Sequence, residues 1–183
     1  RDRLSARSAF RTQVLFDTDR LLQKAKSNDD ILSVTCMQLS RLLDRSIVAY
    51  TKSENGMSTG RLFAEKKYTY SENLLNAAEQ KAAEWAFQNG RRTGATTAQF
   101  GKSECLYLAI RAGDRVYGVI GIPMRPEKPD SFENSIVLSV VNECALAMDN
   151  THNAAEKERA ADLAKSEQHA ACALRSISHD LRT

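Results

Sequence analysis

Near the end of the chain, Leu174-Arg-Ser-Ile-Ser-His179-Asp180-Leu-Arg-Thr183 gathers an imidazole, a carboxylate and a hydroxyl. On a helix, Asp180 sits beside His179, and Thr183 lies one turn further over the same face. Much of an imidazole is unprotonated at neutral pH, which makes it a competent nucleophile. A neighbouring carboxylate can take the proton from one ring nitrogen and leave the other free to attack. A hydroxyl four residues on can orient a water. A plain solvated helix face carrying an unrelated histidine reads the same way.

Metal chemistry finds little to work with. His152, His169 and His179 all fall late in the chain, and Cys36, Cys105, Cys144 and Cys172 stand singly with no CxxC pair. Free cysteines in apolar or helical stretches behave as small hydrophobes, so we expect no disulfide framework, no metal site and an intracellular compartment. Cys105 lacks the flanking histidine that would favour attachment of a bilin.

The elements that position these groups follow from periodicity. Leu4, Phe10, Val14, Leu15, Leu21 and Leu22 predict a helix over about 4–26, and Ile31 to Leu42 predict a second, opened by Ser27-Asn28-Asp29-Asp30. Ile47-Val-Ala-Tyr50 is β-type, Ser53-Glu-Asn-Gly56 is turn chemistry, and 59–63 returns as a strand. Residues 71–88 predict a helix ended by Gly90, with Leu74, Ala78, Ala82, Trp85 and Ala86 as its apolar stripe. The stretch 91–103 reads as loop. Strands over 104–111 and 115–122 are joined by the hairpin signal Ala112-Gly113-Asp114.

Asp130 and Glu133 make a helix start, and no proline or glycine follows through 182. That predicts one long helix, or two joined in phase. Its first part is apolar enough to pack on a sheet. Its second part carries a thin seam, Leu163, Glu167, Ala170, Leu174, Ile177 and Leu181, in steps of four and three. Such a seam needs a second helix, most simply its own copy in a parallel dimer. The order of elements predicts an α+β domain with an antiparallel sheet packed on N- and C-terminal helices.

The 183 residues are 42% hydrophobic, which excludes a disordered chain, and no apolar run is long enough to cross a membrane. The net charge of +3 comes from the first helix, where seven Lys/Arg face three Asp within residues 1–26. That excess suits a nucleic acid, the cytoplasmic face of a membrane, or simple solvation.

The string Ser-Ile-Ser-His179-Asp180-Leu-Arg-Thr183 resembles the phosphoacceptor box of sensor histidine kinases, S-x-S-H-[DE]-L-R-T-P. The resemblance implies that His179 is the phosphoacceptor, Asp180 the base and Thr183 an aid to phosphatase activity. Ser71-Glu72, Glu84-Trp-Ala-Phe-Gln-Asn-Gly90, Gly94, Thr97, Leu106-Tyr-Leu and Tyr117-Gly-Val-Ile-Gly resemble the GAF domain of Kdp-type potassium-sensor histidine kinases. The likeness spans roughly 20–183, but Thr93 to Phe100 departs from the family's usual A-G-x-x-T-x-T-L.

The resemblance implies a juxtamembrane-type helix at 1–26, a GAF-like sensor at 27–150, and a coiled-coil linker entering the phosphoacceptor helix at 151–183. It further implies a homodimer through the C-terminal helix, a response-regulator partner, and a parent protein tethered at the cytoplasmic face of the membrane. ATP and magnesium are implied for that parent, with no cofactor in this stretch and no nucleic-acid partner. No glycine-rich ATP lid occurs, so no kinase activity is expected of the stretch alone. GAF domains often hold small molecules between the sheet and a covering loop. Tyr50, Trp85, Arg91, Arg92, Thr93, Tyr107, Arg111 and Tyr117 are the candidate ligand-binding groups, although Trp85, Tyr107 and Tyr117 suit a core equally well. The competing reading is a stand-alone adaptor binding a small molecule or nucleic acid, with no kinase chemistry.

Overall fold

The computed structural model describes residues 2–68 and 71–182. The chain forms helices α1 (Asp2–Lys24) and α2 (Asn28–Leu43), then strands β1 (Ile47–Ser53), β2 (Gly56–Met57) and β3 (Arg61–Phe63). A 3₁₀ turn (Ser71–Leu75) leads into α3 (Ala77–Asn89), followed by β4 (Thr93–Gly94), β5 (Cys105–Ala112), β6 (Arg115–Pro123) and α4 (Ser131–Arg182). The sheet runs β2-β1-β6-β5-β4, with β3 also paired to β1 and every pairing antiparallel. This is the expected α+β arrangement.

Two compact units divide the chain, Arg1–Met148 and Asp149–Thr183. In the first, strand alternation sends side chains to opposite faces of the sheet. Ile47, Ala49, Leu108, Ile110, Ile120 and Ile122 meet Leu32, Cys36 and Leu39 of α2 and Ile136, Val140 and Cys144 of α4. Val48, Tyr50, Cys105, Tyr107 and Val119 face the other way, onto Leu74 and the small Ala82, Ala83 and Ala86 of α3. Alanines on that helix let it approach the sheet closely, which leaves room for the two tyrosine rings.

Local chemistry fixes the ends. The Ser27 side chain caps α2 by accepting from the Asp30 N–H at 3.2 Å, and Asp44 closes the helix in the left-handed region. Asp130 and Glu133 form a reciprocal capping box: the Glu133 N–H donates to Asp130 at 2.8 Å and the Asp130 N–H donates to Glu133 at 3.1 Å. That N–H of Glu133, helped by the Arg7 guanidinium, holds the Asp130 carboxyl below its ordinary range. Arg7 stacks 4.7 Å from the Phe132 ring and pairs with Asp130 at 2.7 Å, joining α1 to the first turn of α4.

Buried Arg45 donates to the carbonyls of Leu43, Pro123 and Glu127, lacing the α2–β1 joint to the loop before α4.

Three details differ from expectation. Residues 71–88 are a 3₁₀ turn and a helix, because the Asn76 side chain accepts from the Glu79 N–H at 2.9 Å and starts α3 afresh. Glu79, 3% exposed, replaces Ala78 on the buried stripe. Within 91–103, Thr93 and Gly94 pair with Tyr107 and Leu106 as a short edge strand. There Gly94 is required, since its φ is +91° and a Cβ would meet the Cys105 carbonyl oxygen at 2.3 Å.

The second unit is the later part of α4, which is unbroken through Arg182. Its residues are mostly alanine and charged types of high helix propensity, with Glu156 and Arg159 paired at 2.9 Å. Leu163, Leu174, Ile177 and Leu181 are 61, 68, 56 and 83% exposed.

Candidate functional sites

His179 lies in the last turns of α4, with a side chain 79% exposed. Its Nδ1 is 3.9 Å from an Asp180 carboxylate oxygen, close enough for attraction but beyond hydrogen-bond length. The ring is therefore accessible, with a carboxylate beside it. Thr183 lies outside the described residues.

The eight candidate ligand-binding residues are not gathered into one site. Tyr50 and Tyr107 are buried side by side on the α3 face, their rings edge to face with centroids 6.4 Å apart. The Tyr107 ring lies across Gly121, where a Cβ would come within 2.6 Å of it. Tyr117 goes to the opposite face. The β5–β6 register steps from Ile110↔Gly118 to Arg111↔Val116, so Tyr117 is the extra residue of a bulge, and it packs against the α2–α4 cluster. Trp85 is half-buried on α3, while Arg91 and Arg92 are exposed beyond it. Arg111 donates to the carbonyls of Gly113 and Gly90, closing the C-terminal end of α3. Thr93 is buried, and its hydroxyl donates to the Gln99 carbonyl at 2.9 Å.

At the centre of the α3 face is Glu79, a residue that sequence reasoning missed. Its carboxylate accepts from the Tyr107 hydroxyl at 2.9 Å, the Cys105 N–H at 3.1 Å and the Glu104 N–H at 3.2 Å. One side chain of α3 thus satisfies three donors at the start of β5. The available signal was spacing: 79, 82, 83 and 86 fall on one helical stripe, and a charged residue among alanines there must find buried partners. Burial pushes the hydroxyls of Tyr50 and Tyr107 upward, that of Tyr50 to about 12. Burial, with the Glu79 charge, likewise raises the Cys105 thiol. None of these groups is a nucleophile at neutral pH. Among the described residues the buried Tyr50 hydroxyl has no hydrogen-bond partner.

Among the described residues no helix is long and apolar enough to cross a membrane, and no group of three potential metal ligands occurs.

No protein-family model matches the chain. A curated relative, the sensor protein KdpD of Clostridium acetobutylicum, is 31% identical over 179 residues. That match takes in 94% of this chain and 19% of the relative, so the chain spans about a fifth of the protein it resembles. Among solved structures, the GAF domain of the potassium sensor histidine kinase KdpD from Escherichia coli superimposes with a TM-score of 0.59 at 17% identity. The superposition covers 80% of this chain and 98% of that one. The GAF domain of an Acinetobacter phosphoenolpyruvate-protein phosphotransferase gives 0.52 at 9% identity, covering 79% and 95%. The two superpositions speak for the fold, and the sequence match speaks for descent. Over nearly its whole length, then, this chain is a homologue of a segment of KdpD sensor proteins, and it is built as a GAF domain whose last helix runs on to His179.

Proposed function

We propose that the chain is the regulatory segment of a membrane-tethered two-component sensor histidine kinase, in which the GAF unit biases the presentation of the phosphoacceptor His179. The observation that carries this reading is the continuity of α4: one 52-residue helix begins at the Asp130 cap, contributes its first turns to the core, and carries exposed His179 near its end. A packed helix moves as a rigid element, so a shift at its first turns re-aims what it carries further on. In the parent, ATP supplies the phosphoryl group with magnesium, a response regulator receives it, and potassium is the stimulus suggested by the relatives' names. The basic face of α1 then lies beside the anionic inner leaflet, and no nucleic acid is needed to explain it. A small-molecule ligand in the Tyr50–Tyr107 layer is the sensory option, supported by the Tyr50 hydroxyl, which has no hydrogen-bond partner among the described residues.

Phase tests the relay. In the complete kinase, inserting one heptad after Ala161 keeps the helix face in register, and stimulus-dependent labelling of His179 persists. Inserting two residues turns the downstream face by about 200° and uncouples labelling from stimulus. Equal regulation in both insertions would rule out transmission through the helix.

The exposed seam also calls for a partner, and a second copy in a parallel dimer is the simplest. Placing a charge in that seam, by Leu174→Asp or Ile177→Asp, should move the sedimenting species from dimer to monomer. A wild-type chain that is already monomeric at high concentration would end the dimer proposal.

A further inference from the structure

Beside the first half of α4 the sheet is incompletely covered. Two adjoining hollows of about 230 and 240 Å³ lie between β5 and α4, sharing Arg92, Leu108 and Leu138. One ends at Lys128 and the other at Arg111. Leu138 is 47% exposed, although it borders an apolar floor that includes Val137 and Val141. Three cations line the groove and, among the described residues, no carboxylate does. Arg92 and Lys128 have no hydrogen-bond or ion-pair partner among the described residues, and Arg111 is held only by neutral carbonyls.

We propose that this groove is a docking surface for an acidic amphipathic helix from a partner protein. Charge complementarity selects the occupant: an apolar stripe would cover Leu138 and the floor, and flanking Asp or Glu would meet Arg92, Lys128 and Arg111. Shape agrees. The α4 wall of the groove runs from Asn134 to Ala145, which at about 1.5 Å per residue matches three turns of a facing helix. Each hollow is smaller than the pockets of about 300–1,000 Å³ that enclose organic ligands. Strand addition is disfavoured as well, because β4 already covers Leu106 and Tyr107, and the charged Arg111 lies further along the same strand. The surface is independent of the signalling reading, since nothing in it involves His179.

The test uses the whole chain, labelled with nitrogen-15, and a synthetic helical peptide of about four turns with a leucine stripe flanked by glutamates. We expect saturable shifts centred on Leu108, Leu138 and Arg92, with micromolar to submillimolar affinity that weakens with salt. The double variant R92E/K128E changes only exposed side chains, and its circular dichroism should be unaltered. It should bind that peptide at least about ten times more weakly and bind a lysine-flanked version instead. No saturable binding, shifts centred elsewhere, or equal binding of glutamate- and lysine-flanked peptides by the wild type would each overturn the proposal.

Discussion

On the role proposed for His179, incorporation of labelled phosphate from ATP should fall to background when His179→Gln is introduced into the complete kinase. Glutamine keeps the size and hydrogen bonding of the position but lacks a nucleophilic ring nitrogen, so no phosphoramidate bond forms. The change is structurally silent, because the side chain is 79% exposed and supports no packing. On the same proposal Asp180, 3.9 Å away, acts as base, so Asp180→Asn should have a smaller effect, on the order of 10²-fold. Autoradiography of the two variants beside wild type separates the roles. Persistent labelling of the glutamine variant would move the phosphoacceptor to another residue.

The second large effect concerns folding. Glu79→Ala leaves the Tyr107 hydroxyl and the N–H groups of Cys105 and Glu104 without their buried acceptor. Each unsatisfied donor costs about 1–3 kcal/mol, offset in part because a carboxylate no longer has to be desolvated. A net loss of roughly 3–5 kcal/mol is expected, equivalent to a fall in Tm of about 6–20 °C for a chain of this size. Tyr107→Phe removes a single donor from the same cluster and should cost only about 1 kcal/mol. Thermal unfolding followed by circular dichroism checks both. If the alanine variant melted with wild type, the clamp between α3 and β5 would be incidental to stability.

Elements with a strong period were legible in the sequence. Both N-terminal helices, the β5–β6 hairpin and the Asp130–Glu133 cap appear where spacing and cap chemistry place them. The failures have physical causes. Asn76 was invisible as a cap because it sits inside a continuous run of helix formers, where only the geometry of the preceding 3₁₀ turn exposes its role. Glu79 was missed because its partners are two backbone N–H groups and a tyrosine some twenty-five residues on. Tyr117 was grouped with Tyr50 and Tyr107 as a ligand-binding candidate, and one bulged residue puts it on the other face of the sheet. The string around His179 could be compared with a family box because its residues are contiguous. A pocket assembled from several strands is not, which is why the eight candidate residues scatter over both faces of the sheet.

The contact between Arg7 and Asp130 has a mechanical meaning. Through it the N-terminal helix and the first turn of α4 touch directly, so a displacement of α1 bears on the cap of α4. Half-exposed as it is, the bridge is weak and easily broken. Any anion that captures Arg7, a lipid phosphate among them, competes with Asp130 and leaves that carboxylate to its own helix alone.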